Sequence, residues 1–332
     1  MSELKCVIDT GYENDVALLD VHDRFASIVE ISGATVIGDR SREFTPDATS
    51  EALYERDRLE MIAEQAGMMA LYLNGQPPRN RIAVAAGFAA ARGIPIFGLR
   101  TESQASTGEN GIPFNLMINA AIAYSRDETF GYDGKVEIAQ TFSELTKHIT
   151  DAHDNSGTIA RRSVPVSEDL GGAYVANPYG FALSTKGFYN RTLLPAVKSK
   201  IDYIDPWTVA EKEIGIALAA DPEKQATAWT MIGISHIERI RKARMYIGCF
   251  DQEPVDVGSL VELGVAAGFG KPVVIYRNDL RTITEGPSAF DASIQAAANL
   301  WLPRSAAIAK HDSFPTEIDQ LTEELQEVVA KL

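Results

Sequence analysis

A repeat inside the chain constrains its architecture more than any other feature. Residues 59–62 (Leu-Glu-Met-Ile) open a stretch that runs through MMALYLNGQPP to AAGFAAARGIPIFGLRTE. Residues 237–240 (Ile-Glu-Arg-Ile) open a second, through MYIGCFDQEP to ELGVAAGFGKPVVIYRND. Gly87 pairs with Gly264, Gly93 with Gly270, Pro95 with Pro272 and Arg100 with Arg277. Each stretch is followed by an Asn-Leu dipeptide, Asn115-Leu116 and Asn299-Leu300, and closes on an amphipathic helical pattern near 142–150 and 315–331.

Within each copy the hydrophobic period alternates. The apolar runs 68–73, 94–99, 245–250 and 272–276 are short and bounded by Gly or Pro, the pattern of parallel strands buried on both faces. Alanine-rich helical stretches, 82–92 and 260–269, lie between them. Strand–helix–strand alternation predicts doubly wound α/β sheets with right-handed crossovers, and ligands then sit beyond the carboxyl ends of the strands. The polar stretch 151–171 reads as a linker. It divides a domain over 1–150 from a second over 172–332, and AYVANPYGF opens the second as a strand and turn. Residues 5–8 are the matching first strand of the first copy.

The chain has 332 residues, 45% of them apolar, enough for two cores. Its formal charge of −15 would repel a nucleic-acid backbone, so no nucleic-acid partner is expected. Cys6 and Cys249 lack metal-type spacing. No metal or cofactor is signalled, and a reducing compartment, the cytoplasm by default, is expected. The first residues lack a signal-peptide pattern, and no apolar run approaches about 18 residues, so no membrane contact is expected.

Three segments of the second copy converge at one sheet edge: Tyr174 to Phe181, Cys249-Phe250-Asp251, and the loop-to-helix turn Asp256 to Glu262. Ser259-x-x-Glu262 has the spacing of a capping box. The same geometry holds a carboxylate in the first turn, where the helix dipole keeps it ionised. An ionised carboxylate at a pocket mouth can attack an anomeric carbon. Asp256 is either an ordinary turn residue or a group exchanging a proton with a leaving base. Phe181, Tyr179 and Trp207 are candidates for stacking on a base, Phe181 first among them. The run Arg239, Arg241, Lys242, Arg244 reads as a solvated helix face or a phosphate contact.

These residues resemble the nucleoside 2-deoxyribosyltransferases. That family has a first strand ending in Tyr before a small-residue, aromatic turn, then Asp-x-Gly-x-x-x-Glu-x-Gly, then Gly-Lys-x-Val. This sequence has Tyr174, then Asp256, Gly258, Glu262 and Gly264, then Gly270-Lys271-Pro272-Val273, and the likeness covers most of 172–305. The resemblance implies Glu262 as nucleophile, Tyr174 holding it, and Asp256 engaging the nucleobase, with Gly258 and Ser259 lining the substrate site. Where the family has an Asp or Asn at the start of the preceding helix, and often an Asp at its end, this chain places His236 and Arg244. His236 is therefore a candidate base contact.

In the first copy Ala85 stands at the place of Glu262, Arg79 at that of Asp256 and Arg81 at that of Gly258. A nucleophile is missing there, and an independent site at Asp9 and Tyr12 has no motif behind it. The first copy does keep Pro113-Phe114-Asn115-Leu116-Met117. This resembles the family's Asn-Leu-Met segment, which enters the neighbouring subunit's active site. The expectation is a pseudo-dimer of two flavodoxin- or Rossmann-like domains, with Asn115 and Met117 completing one site, and a homo-oligomer of such units is compatible with it. The substrates implied are a small nucleoside and a free nucleobase. The reaction implied is transfer of 2-deoxyribose through a glycosyl-Glu262 intermediate. The alternatives are an N-glycosidase acting on a nucleoside or nucleotide, and a non-catalytic nucleotide-binding protein.

Overall fold

The computed structural model describes residues 4–10, 16–38, 48–74, 80–101, 115–126, 138–156, 171–179, 183–251, 255–278, 292–309 and 314–332. Tyr12, Arg79 and Phe181 lie outside these residues, as do Pro113 and Phe114.

The first half runs β1 (Lys5–Asp9), α1 (Val16–Ile31), β2 (Thr35–Ile37), α2 (Ala48–Gln65), β3 (Met68–Tyr72), α3 (Asn80–Ala91), β4 (Ile96–Leu99), α4 (Leu116–Ser125) and α5 (Phe142–Ser156). The second half begins with β5 (Ala173–Ala176), α6 (Leu183–Phe188), a wider π-turn (Tyr189–Leu193), α7 (Leu194–Lys198) and β6 (Tyr203–Ile204). It continues with α8 (Pro206–Leu218), α9 (Pro222–Lys242), β7 (Met245–Cys249), α10 (Val257–Gly268), β8 (Val273–Tyr276), α11 (Ala292–Asn299), α12 (Arg304–Ala309) and α13 (Ile318–Val329). The stretch read as a linker from 151 is helical at first, because α5 continues through Ser156 before the described chain stops.

The two sheets have one topology. The strand orders are β2-β1-β3-β4 and β6-β5-β7-β8, every pair parallel. Successive side chains point to opposite faces of a strand, and the burial follows. Val7 and Met69 of one sheet, and Tyr174, Ala176 and Tyr246 of the other, enter a single central cluster with α3, α4, α9 and α10. Cys6, Ile8, Met68 and Ala70 face an outer cluster with α1 and α5. Ala173, Val175, Met245 and Ile247 face the other outer cluster, with α7 and α13. The described molecule is thus two α/β domains sharing one inner helical layer.

That layer is centred on α3 and α10. A side chain at Gly87 would place its Cβ 1.9 Å from the carbonyl oxygen of Val261, and one at Gly264 would meet Val84 O at 2.0 Å. Only glycine permits so close a backbone approach. Gly93 (φ 65°) and Gly270 (φ 68°) end the same two helices in the left-handed conformation that glycine adopts freely.

The repeat needs one correction. Asn115 precedes α4 and caps it, with Oδ1 accepting from Met117 N at 2.9 Å, whereas Asn299 is the last residue of α11. Both helices follow the last strand of their sheet, α4 against α9 and α11 against α2. The two Asn-Leu dipeptides therefore sit at opposite ends of matching helices and are not counterparts. Arg56 of α2 instead donates to the carbonyls of Asn299 (3.2 Å) and Leu302 (3.0 Å), closing the carboxyl end of α11.

Candidate active site

The site begins with the register of two strands. Tyr174 and Tyr246 are opposite one another on β5 and β7 and share the inner face. Their rings stack at 6.2 Å with an interplanar angle of 12°. The Tyr246 hydroxyl donates to Ser259 O at 2.9 Å. The Tyr174 hydroxyl reaches α10 and donates to Glu262 Oε1 at 2.7 Å.

His236, its side chain 13% exposed, completes a triangle with Tyr174 and Glu262. Its Nδ1 is 2.9 Å from Glu262 Oε1 and 3.0 Å from the Tyr174 hydroxyl. The resemblance implies a helix start for this residue; it lies instead late in α9, two turns before that helix ends. Glu262 is 6% exposed and Tyr174 fully buried. Burial first, and then the Glu262 charge and hydrogen bond, hold the Tyr174 hydroxyl well above the ordinary phenol range. Tyr174 therefore stays protonated and acts as a donor. Both hydrogen bonds fall on Oε1, and Oε2 has none among the described residues.

The capping box that the Ser259-x-x-Glu262 spacing allows does not form. The cap of α10 is Asp256, three residues earlier, whose Oδ2 accepts from Ser259 N (2.7 Å) and Ser259 Oγ (2.9 Å). Asp and Ser cap about equally well, and the helix starts at Val257, which puts Asp256 at the cap and Ser259 inside. Ser259 thus supports Asp256, and Glu262 lies in the second turn rather than the first, freed from any capping duty. Burial raises the Asp256 pKa above its usual 3.8, opposed by the Ser259 hydrogen bonds. Gly258 faces the first half of the chain: a Cβ there would meet Met117 Cγ at 3.5 Å and Asp256 Oδ2 at 3.1 Å. Met117 Sδ also lies 3.4 Å from where a Cβ on Gly233 of α9 would be, so this side chain of α4 is wedged against both α9 and α10.

Other candidates are committed elsewhere. Tyr179 is buried against Phe188 and Tyr189, and its hydroxyl bonds Asp251, so it belongs to the outer core rather than to a stacking surface. Trp207 Nε1 donates to Asn177 O and Oδ1, both at 3.2 Å. Arg239 pairs with Glu213 at 2.6 Å and Arg241 with Glu238 at 2.6 Å, so two of the four cations of that run are held in ion pairs. Asp251, passed over as a role-bearing residue, ties the edge together by also accepting from Asn278 N at 2.6 Å. Its position directly after a buried strand was the available signal.

In the first half the corresponding edge is filled by ion pairs. Arg58 bonds the buried Asp9 and lies 3.2 Å from Glu55, which Arg81 also meets at 3.2 Å. Ala85, the counterpart of Glu262, is fully buried. Among the described residues no group of three or more His, Cys, Asp or Glu side chains is placed to hold a metal ion. No described helix is long and apolar enough to cross a membrane.

Fold and cluster together define a Rossmann-like α/β domain with a Tyr–His–Glu centre on the inner face of its sheet. Residues 173–317, the C-terminal part of the chain, match the family model described as nucleoside 2-deoxyribosyltransferase. The match supports deoxyribosyl transfer or a related activity, by an enzyme of that transferase kind. No curated protein matches the chain. A solved carbohydrate transporter from Acidothermus cellulolyticus 11B in complex with myo-inositol aligns over 98% of this chain and 99% of its own. At 12% identity and a TM-score of 0.22 that alignment carries no argument.

Proposed function

We propose that the chain moves 2-deoxyribose from one nucleobase to another by double displacement at Glu262. The observation that carries this reading is the state of that carboxylate: buried, gripped on one oxygen by Tyr174 and His236, and free of hydrogen bonds on the other. A Glu262 oxygen forms a bond to C1' as the C1'–N bond breaks. The electron pair leaves with the base, which takes a proton from Asp256 or a water. A second base then attacks C1' through its nitrogen, gives that nitrogen's proton back to Asp256 or the water, expels the carboxylate and so restores the starting state with net retention. Burial favours the protonated form of Asp256, which suits a proton donor.

The two domains form a pseudo-dimer in this reading, with one catalytic centre. The reciprocal approach of Gly87 to Val261 and of Gly264 to Val84 supports it, as does Met117 against Gly258. Asn115 spends Oδ1 on capping α4, and its Nδ2 makes no hydrogen bond among the described residues and is available to a substrate.

Incubation with 2'-deoxyinosine plus adenine, and with thymidine plus cytosine, tests the reading. Exchange products are expected from one pair. Free 2-deoxyribose in place of exchange would make the protein an N-glycosidase on the same scaffold, and no turnover of either pair would refute catalysis of this kind.

A further inference from the structure

His236 is where the chain departs from the family pattern quoted above, and its surroundings define its proton. Glu262 Oε1 can only accept, so the 2.9 Å contact requires a hydrogen on His236 Nδ1. The Tyr174 hydroxyl gives its own proton to the same Oε1, and its oxygen is left to accept from Nδ1 at 3.0 Å. One N–H therefore serves two acceptors. The far nitrogen, Nε2, is buried and has no hydrogen-bond partner among the described residues. A proton there would bury an unsatisfied donor, whereas the bare lone pair of a neutral ring costs less.

We infer that His236 is a neutral, Nδ1-protonated positioning residue that, with Tyr174, pins Oε1 of Glu262 and leaves Oε2 as the oxygen that bonds to C1'. The inference rests on the proposed role of Glu262. Two donors on Oε1 draw its electron density and fix the carboxylate plane. The lone pairs of Oε2 remain undirected by the protein and are the more available for attack. A neutral ring also leaves the charge of Glu262 uncancelled, so the carboxylate keeps its nucleophilic strength. His236 touches no reacting atom in this scheme; it acts through Glu262.

The side-chain geometry of two amides provides the test. The amide nitrogen of Asn can occupy the place of histidine Nδ1, whereas that of Gln reaches the place of Nε2. His236→Ala and His236→Gln are expected to lose about tenfold or more in kcat for base exchange, with KM within about threefold. His236→Asn should recover kcat to within about threefold of the unaltered protein. Full kcat in His236→Ala would overturn the inference, as would a folded His236→Asn no better than the Ala variant. A second measurement needs neither turnover nor a folded variant's activity. In the unaltered protein labelled with 15N-histidine at neutral pH, His236 should show a proton on Nδ1 and none on Nε2. A proton on Nε2, alone or in addition, would defeat it. Glu262→Ala separates the two readings: if that variant keeps its activity the proposed nucleophile falls, and the tautomer still decides what His236 does in the folded state.

Discussion

Gly87 of α3 lies so close to Val261 of α10 that a single methyl on the glycine would occupy the Val261 carbonyl oxygen. The contact recurs with roles exchanged, Gly264 against Val84. Gly87→Ala and Gly264→Ala should therefore each force the helices apart and destabilise the protein by about 1–3 kcal/mol or more. Gly215→Ala is the control. It stands in α8 with open space around it, and should be neutral or stabilising by up to about 1 kcal/mol on helix propensity. Denaturant unfolding measures both; equal midpoints for all three variants would mean that the helices are not in this contact.

Glu262→Ala and Glu262→Gln should abolish exchange, falling by several orders of magnitude in kcat/KM, because no other described carboxylate receives the Tyr174 and His236 bonds. Stability should change little, since burying a carboxylate is costly and its removal relieves that cost. Activity above about a tenth of the unaltered protein would remove Glu262 from the mechanism.

Tyr174→Phe should weaken rather than abolish turnover. A hydrogen bond to a charged acceptor is worth about 1.5–3 kcal/mol, which corresponds to roughly 10–150-fold in rate. Steady-state kinetics should show the loss in kcat, with KM nearly unchanged. An undiminished kcat would show that the 2.7 Å bond does not matter to the reaction.

A pH dependence follows from the junction of the halves. Tyr124 of α4 donates to Glu238 of α9 at 2.6 Å, and Arg241 bonds the same carboxylate. Burial works to raise the Glu238 pKa, but the bonds from Arg241 and Tyr124 and the Arg241 charge prevail and lower it from 4.5. The unfolded chain therefore binds this proton more readily than the folded one. The stabilisation is complete above pH 4.5 and is lost as pH falls through the lower folded value. Tyr124→Phe should cost about 1 kcal/mol at neutral pH. Glu238→Gln should flatten the acid limb of stability plotted against pH. An acid limb identical to that of the unaltered protein would show that Glu238 does not contribute to it.

What the sequence made legible was whatever depends on local spacing. Gly- and Pro-bounded apolar runs located β3, β4, β7 and β8 to within two residues, because buried strands need nothing beyond apolar continuity. Asp256, Gly258 and Glu262 were found through one loop-to-helix turn. The capping box failed because two cap formers stood three residues apart, and spacing alone does not say which begins the helix. The link between His236 and Glu262 was hidden for a different reason. It is made between two helices packed against one sheet, and no periodic pattern within either helix encodes which side chains meet across it. The Asn-Leu pairing misled because identical dipeptides carry no information about which end of a helix they occupy.

Met117 belongs to the half whose strand edge is closed by Asp9, Glu55, Arg58 and Arg81, yet its side chain touches the space in front of Gly258, beside Asp256. That packing is therefore set in part by the half in which Ala85 stands at the place of Glu262. A substitution at Met117 changes the packing against Gly258 of α10 and Gly233 of α9, the helices that carry Glu262 and His236. A centre built wholly from side chains of the second half is thereby braced by a side chain of the first.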